Sequence, residues 1–68
     1  MQAPNYMDTV QFIGNDSDFG GYDTGGVYSV MMVGQNYPHA PVIVVIEDAT
    51  GYYDTWDLEG FHNYFKVL

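Results

Sequence analysis

Cysteine is absent from this 68-residue chain, and positive charge nearly so. The first absence excludes a disulfide framework and any thiolate metal site, and it fits a reducing compartment such as the cytoplasm. The second leaves Lys66 as the one basic residue against nine acids: Asp8, Asp16, Asp18, Asp23, Glu47, Asp48, Asp54, Asp57 and Glu59. The formal net charge is −8. A surface of that sign repels phosphate backbones and anionic lipids, whose binding depends on Lys and Arg, so direct nucleic-acid and membrane-surface binding are not expected. It attracts basic protein surfaces instead, and net charge also keeps an aromatic-rich domain soluble. Long apolar runs are lacking too. The longest, Val42-Ile43-Val44-Val45-Ile46, falls far short of the roughly 20 residues that cross a bilayer. Met1-Gln2-Ala3-Pro4-Asn5-Tyr6 has neither the basic nor the apolar region of an export signal, and without one the Asn15-Asp16-Ser17 sequon reads as coincidence.

What is plentiful is aromatic: seven tyrosines, four phenylalanines and one tryptophan. Each ring buries roughly 150–250 Å², which suits a chain with room for one thin core. Residues 1–68 are therefore expected to form a single acidic β domain. Glycine and proline punctuate segments of β-branched and aromatic residues, and no helix of substance is expected. The first strand is read over Thr9 to Gly14 and the second over Val27 to Val33, with Tyr28, Val30 and Met32 on one face. The third covers Val42 to Glu47, apolar on both faces. The fourth covers Tyr52 to Asp57, with Tyr52, Asp54 and Trp56 opposite Tyr53, Thr55 and Asp57. The fifth covers Asn63 to Leu68. Between them lie a turn-rich loop, Asn15 to Gly26, and a proline-stiffened connection, Gly34 to Pro41. A tight hairpin follows at Asp48-Ala49-Thr50-Gly51, and Leu58 to His62 is read as a short connector, at most one 3₁₀ turn. Five short antiparallel strands predict an all-β barrel or sandwich, and closure would remove aggregation-prone edges.

Gly26-Val27-Tyr28-Ser29-Val30 resembles the entry strand of small SH3-like β-barrel accessory proteins of phages and prophages. Val45-Ile46-Glu47-Asp48-Ala49-Thr50-Gly51 is similar to the acidic hairpin of that family, and Trp56 with Phe65-Lys66-Val67-Leu68 to its closing aromatic and last strand. The resemblance covers about residues 9 to 68 and implies an SH3-like barrel without catalysis. The Gly34 to Pro41 connection is longer than the family pattern. A second resemblance is to the C-terminal half of phage uracil-DNA glycosylase inhibitors, which are acidic DNA mimics. It rests on Tyr22-Asp23, Val30-Met31-Met32, Tyr37-Pro38 and Val45 to Gly51. The N-terminal helices and the Glu-Ser-Ile strand of those inhibitors have no counterpart here, so only the idea of acidic mimicry carries over. The expected protein is therefore a phage- or mobile-element-encoded inhibitor acting in the host cytoplasm.

Catalysis is not expected. His39 and His62 have no second ligand at metal spacing, and no Ser–His–carboxylate arrangement emerges from the spacing. A chain this short also offers little volume for a water-excluding pocket. Asp16-Ser17-Asp18 partly matches a calcium loop, but the fifth and twelfth positions are Gly20 and Val27, which cannot ligate through side chains. Neither metal nor cofactor is implied. The acids carry the sharper expectation. Residues i and i+2 of a strand share a face about 6.6 Å apart, a spacing comparable to that of phosphates. Glu47, Asp48, Asp54, Asp57 and Glu59, with Asp16, Asp18 and Asp23 in a separate loop, are the candidate partner-binding residues, and Tyr37, Tyr53 and Trp56 the candidate anchors. The expected partner is a basic, nucleic-acid-binding host protein of the defence or repair machinery: a CRISPR effector, restriction enzyme or DNA glycosylase. The competing expectation is an SH3-like adaptor that binds a peptide, or dimerises, through exposed aromatics.

Overall fold

A computed structural model describes residues 1–68. Strands β1 (Thr9–Phe12), β2 (Val27–Gly34), β3 (Ile43–Glu47) and β4 (Tyr53–Asp57) follow one another, then helix α1 (Leu58–Tyr64) and strand β5 (Phe65–Val67). The strands form one antiparallel sheet in the order β4-β3-β2-β1-β5. The expected five-stranded all-β architecture is therefore the one that forms, but hydrogen bonds do not close it. β4 and β5 are its two edges, and aromatic side chains bridge them. Trp56 on β4 meets Phe65 on β5 edge to face, with centroids 5.1 Å apart.

Sheet alternation sets the core. Val10 and Phe12 of β1, Val30 of β2 and Val44 and Ile46 of β3 are fully buried on the concave face, where Phe61 of α1 and Phe65 join them. On β2 the alternation changes sides. The register passes from Val30↔Ile46 to Met32↔Val45, which leaves Met31 as the extra residue of a bulge. One added residue reverses every side chain beyond it. Met32, expected beside Val30, is thus half-exposed, and Val33 packs on the core instead. Val45 is buried on the opposite face, so β3 is apolar on both sides as its composition implies.

The Asp48–Gly51 hairpin follows its turn chemistry. The Asp48 carboxylate Oδ1 accepts from the Thr50 N–H, the Thr50 hydroxyl and the Tyr52 N–H, at 2.8, 2.6 and 3.0 Å. Gly51 takes the positive φ, 89°, that such a bulged turn needs.

Two local expectations are corrected. Leu58 to Tyr64 is an α-helix, not a connector of one 3₁₀ turn, and the fifth strand shrinks to Phe65–Val67. Asp57 drives this: its backbone is extended (φ −77°, ψ 169°), and its side chain accepts from the Gly60 N–H at 2.7 Å as the N-cap. Leu58, Phe61 and Phe65, spaced by three and four, then turn inward together. The second correction is at β1, which ends at Phe12 because its partner strand β5 begins at Phe65, directly after α1. The Ile13 N–H donates to the Tyr64 carbonyl at 2.8 Å.

Candidate functional site

The antiparallel order fixes which loops share an end of the molecule. β1 and β3 point to one end, β2 and β4 away from it, so the Ile13–Gly26 loop and the Asp48–Tyr52 hairpin both lie there. That end carries Asp16, Asp18, Asp23, Glu47, Asp48 and, at the start of β4, Asp54. Asp8, Asp57 and Glu59 lie at the other end. The structure thus brings the two acidic groups read from the sequence together, and separates Asp57 and Glu59 from Asp54. About 10 Å of strand and opposite sheet faces divide Asp54 from Asp57.

The loop is held over the sheet by its own polar groups and rings. Asp16 accepts from the Thr24 N–H, and the Thr24 hydroxyl donates to the Gly14 carbonyl at 2.7 Å, which closes the loop's neck. Asp18 accepts from the Asn15 N–H at 3.0 Å. Further along, the Ala49 N–H donates to the Gly21 carbonyl at 2.9 Å, tying the loop to the hairpin. Gly21 has φ 89°, and a Cβ there would run into the Asp48 carboxyl. No other residue type fits so close an approach at that backbone angle.

Two rings of the loop face inward. Tyr22 is 3 % exposed, stacked on Phe12 at 5.4 Å and edge-on to Phe65. Phe19 lies over the gap between the sheet's edges, edge-on to Trp56 at 5.0 Å and to Tyr64 at 4.8 Å. Phe19, Gly20 and Tyr22 on one side and Asp54, Thr55 and Trp56 on the other line a cleft of about 400 Å³. The Tyr22 hydroxyl donates to Asp54 Oδ2 at 2.7 Å. Burial, and then this bond to a carboxylate, push the Tyr22 pKa well above its ordinary value. The indole N–H of Trp56 is buried without a hydrogen-bond partner. It is near enough to the Tyr22 oxygen to oppose that rise, yet not in hydrogen-bonding geometry.

Most acids have a structural task. Asp8 accepts from the Asn5 N–H at 2.8 Å, Asp57 caps α1, and Asp16, Asp18 and Asp48 cap turns. Hydrogen bonds from Thr24 hold the Asp16 carboxyl below its usual pKa, and bonds led by the Thr50 hydroxyl do so for Asp48. Asp16 and Asp48 therefore stay anionic at neutral pH. Asp23 and Glu59 are exposed and Glu47 half-buried on the outer face, in register with Ser29 and Tyr53. Of the candidate anchors, Tyr53 is exposed on the outer face of β4 and Trp56 is half-buried in the cleft. Tyr37 is exposed in the connection at the opposite end, where its carbonyl accepts from the Ala40 N–H. The sequence reading missed Phe19, Tyr22 and Thr55 as cleft residues. A Phe and a Tyr inside a glycine-rich loop were the available signal, since loops seldom carry rings without burying them.

His62 Nε2 is 2.6 Å from the Gln2 carbonyl, and no three His, Asp or Glu residues stand together in a way that could hold a metal ion. No helix is long and apolar enough to cross a membrane. No protein family, curated protein or solved structure among those compared matches this chain.

Proposed function

We propose that this chain is a non-catalytic, acidic binding protein that inhibits a cationic partner by occupying its nucleic-acid groove. One observation carries the reading: the topology gathers six of the nine carboxylates at the loop end, against the single Lys66, which stands on β5 opposite Gln11. Hydrogen bonds hold four of the six carboxylates in place, those of Asp16, Asp18, Asp48 and Asp54, so much of the negative charge there is ordered. Ordered charge of one sign steers encounter with an opposite surface and costs little side-chain entropy on binding. The resemblance to small phage SH3-like barrel proteins and to acidic DNA mimics adds the source and target class. On this reading the protein is phage-encoded, works in the host cytoplasm and engages a defence or repair protein.

The test is direct binding to a uracil-DNA glycosylase, a restriction endonuclease and a CRISPR effector, each with and without competing duplex DNA. At least one should bind, lose the chain to DNA, and weaken steeply between about 50 mM and about 200 mM salt. Asp18→Asn, Asp23→Asn and Glu47→Gln together remove three charges without removing a hydrogen-bond acceptor from any turn. This triple variant should weaken the complex at least about tenfold at low salt. Affinity indifferent to both salt and these substitutions would refute mimicry. It would favour the second reading, an SH3-like adaptor or homodimer built on exposed rings. Tyr52 and Tyr53, 74 % and 59 % exposed beside the unpaired edge of β4, are the observation behind that alternative.

A further inference from the structure

We propose that the cleft between the Asn15–Gly26 loop and β4 is a receptor for one arginine side chain of the partner. The inference rests on the reading of this protein as a binder of cationic surfaces, and it names the point at which that surface is anchored.

The walls suit a guanidinium. Phe19, Tyr22 and Trp56 present rings around the opening, and Asp54 supplies the only carboxylate among the lining residues. Asp54 Oδ2 is already oriented by the Tyr22 hydroxyl at 2.7 Å, so the group is held in place before any ligand arrives. Its second oxygen is left to accept from an incoming donor. The Trp56 Nε1 is shielded from solvent, so the indole atoms open to the cleft are carbon. A planar cation both stacks on aromatic faces and hydrogen-bonds a carboxylate, while an ammonium manages the second better than the first. A cleft of about 400 Å³ also exceeds what a single guanidinium fills, which leaves room for the side chain's aliphatic stem.

The surroundings favour a cation in this cleft over other occupants. Asp48 adjoins Gly21 and contributes to the field felt at Tyr22, so a second anion stands behind the first. An anionic or purely apolar occupant would meet Asp54 uncompensated. Phe19, 37 % exposed, sits at the rim, where it can pack on an entering side chain without opening the core.

Trp56 is the only tryptophan and lines the cleft, so its fluorescence responds to an occupant there. The probe is a blocked Gly-Gly-Arg-Gly-Gly peptide, compared with the same peptide carrying citrulline, which keeps the shape and loses the charge. The arginine peptide should shift Trp56 emission in a saturable way, and the citrulline peptide should bind at least about tenfold more weakly. Asp54→Asn keeps an acceptor for the Tyr22 hydroxyl and should lower arginine-peptide affinity to a similar extent. Asp18→Asn, which removes the same charge at the same end, should have a much smaller effect. Phe19→Leu keeps apolar bulk but removes the ring at the rim, and at a temperature where the variant is fully folded it should weaken arginine-peptide binding. Equal losses from Asp54→Asn and Asp18→Asn, or equal binding of citrulline, would overturn the proposal. So would amide shifts that cluster away from Phe19, Gly20, Tyr22 and Thr55. If salt-dependent binding to a basic partner persists while the peptide leaves Trp56 unmoved, the arginine receptor fails and the broader reading stands. If neither occurs, both fail.

Discussion

Tyr22 joins the core to the cleft through one side chain. Its ring fills space between Phe12 and Phe65, and its hydroxyl reaches out to Asp54. Because its pKa is raised in the folded state, folding favours the protonated phenol. That contribution is complete below the unfolded value of about 10. Above it, the unfolded chain ionises while the folded one resists, so stability falls as pH rises toward the folded pKa. Tyr22→Phe keeps the ring and removes both the bond and the titration. It is expected to cost about 1.5–3 kcal/mol at neutral pH, the range for a hydrogen bond to a charged acceptor. The alkaline limb of a stability profile should become shallower in the variant. Urea unfolding at a series of pH values from neutral to above pH ~10 reads both effects, and an unchanged limb would remove Tyr22 as the cause.

At the scale of elements, α1 depends on its cap. Seven residues are too few to be helical on propensity, and Gly60 lowers it further. What holds the helix is the Asp57 carboxylate at one end and Phe61, fully buried, on its inner face. Asp57→Ala is expected to lower stability by about 0.5–2 kcal/mol, whereas Asp57→Asn, which still accepts from the Gly60 N–H, should come close to the parent. Urea midpoints at constant m-value separate the two outcomes.

This helix also marks the boundary of what could be read from the sequence. The spacing of Leu58, Phe61 and Phe65 is helical, yet the segment is short, contains glycine and runs straight into a strand, so local pattern favoured a connector. The four longer strands and the Asp48–Gly51 turn were legible because alternation and turn chemistry are local properties. The Met31 bulge was not, since it is decided by which residues of β3 lie opposite. Nor was the inward turn of Tyr22, which follows from the Ala49–Gly21 hydrogen bond between two segments distant in sequence. The candidate site was half legible for the same reason. The acids and Trp56 could be named, but their division between two ends depends on strand direction and order, which composition does not encode.

For the whole molecule, the same charge that would recruit a partner works against the fold. A net charge of −8 on 68 residues repels itself, most strongly where six carboxylates share one end. The sheet tolerates this because much of its cohesion is aromatic and therefore insensitive to ionic strength: Phe12, Phe61 and Phe65 are buried, and Trp56 and Phe19 cover the unpaired edges. Screening should consequently stabilise the free protein while weakening its complex. Raising NaCl from about 0.01 M to about 1 M shortens the Debye length from about 30 Å to about 3 Å, which removes most repulsion between exposed carboxylates. Relief on the order of 1 kcal/mol corresponds to a rise in Tm of about 4–8 °C for a domain of this size. The Asp18→Asn, Asp23→Asn, Glu47→Gln variant should start from a higher Tm at low salt and gain less on screening. Glu59→Gln, at the less crowded end, should change both quantities little. A Tm that is flat in salt for the parent chain would mean that the loop-end carboxylates are too well solvated to feel one another. Charge at that end would then be too diffuse to imitate a phosphate backbone.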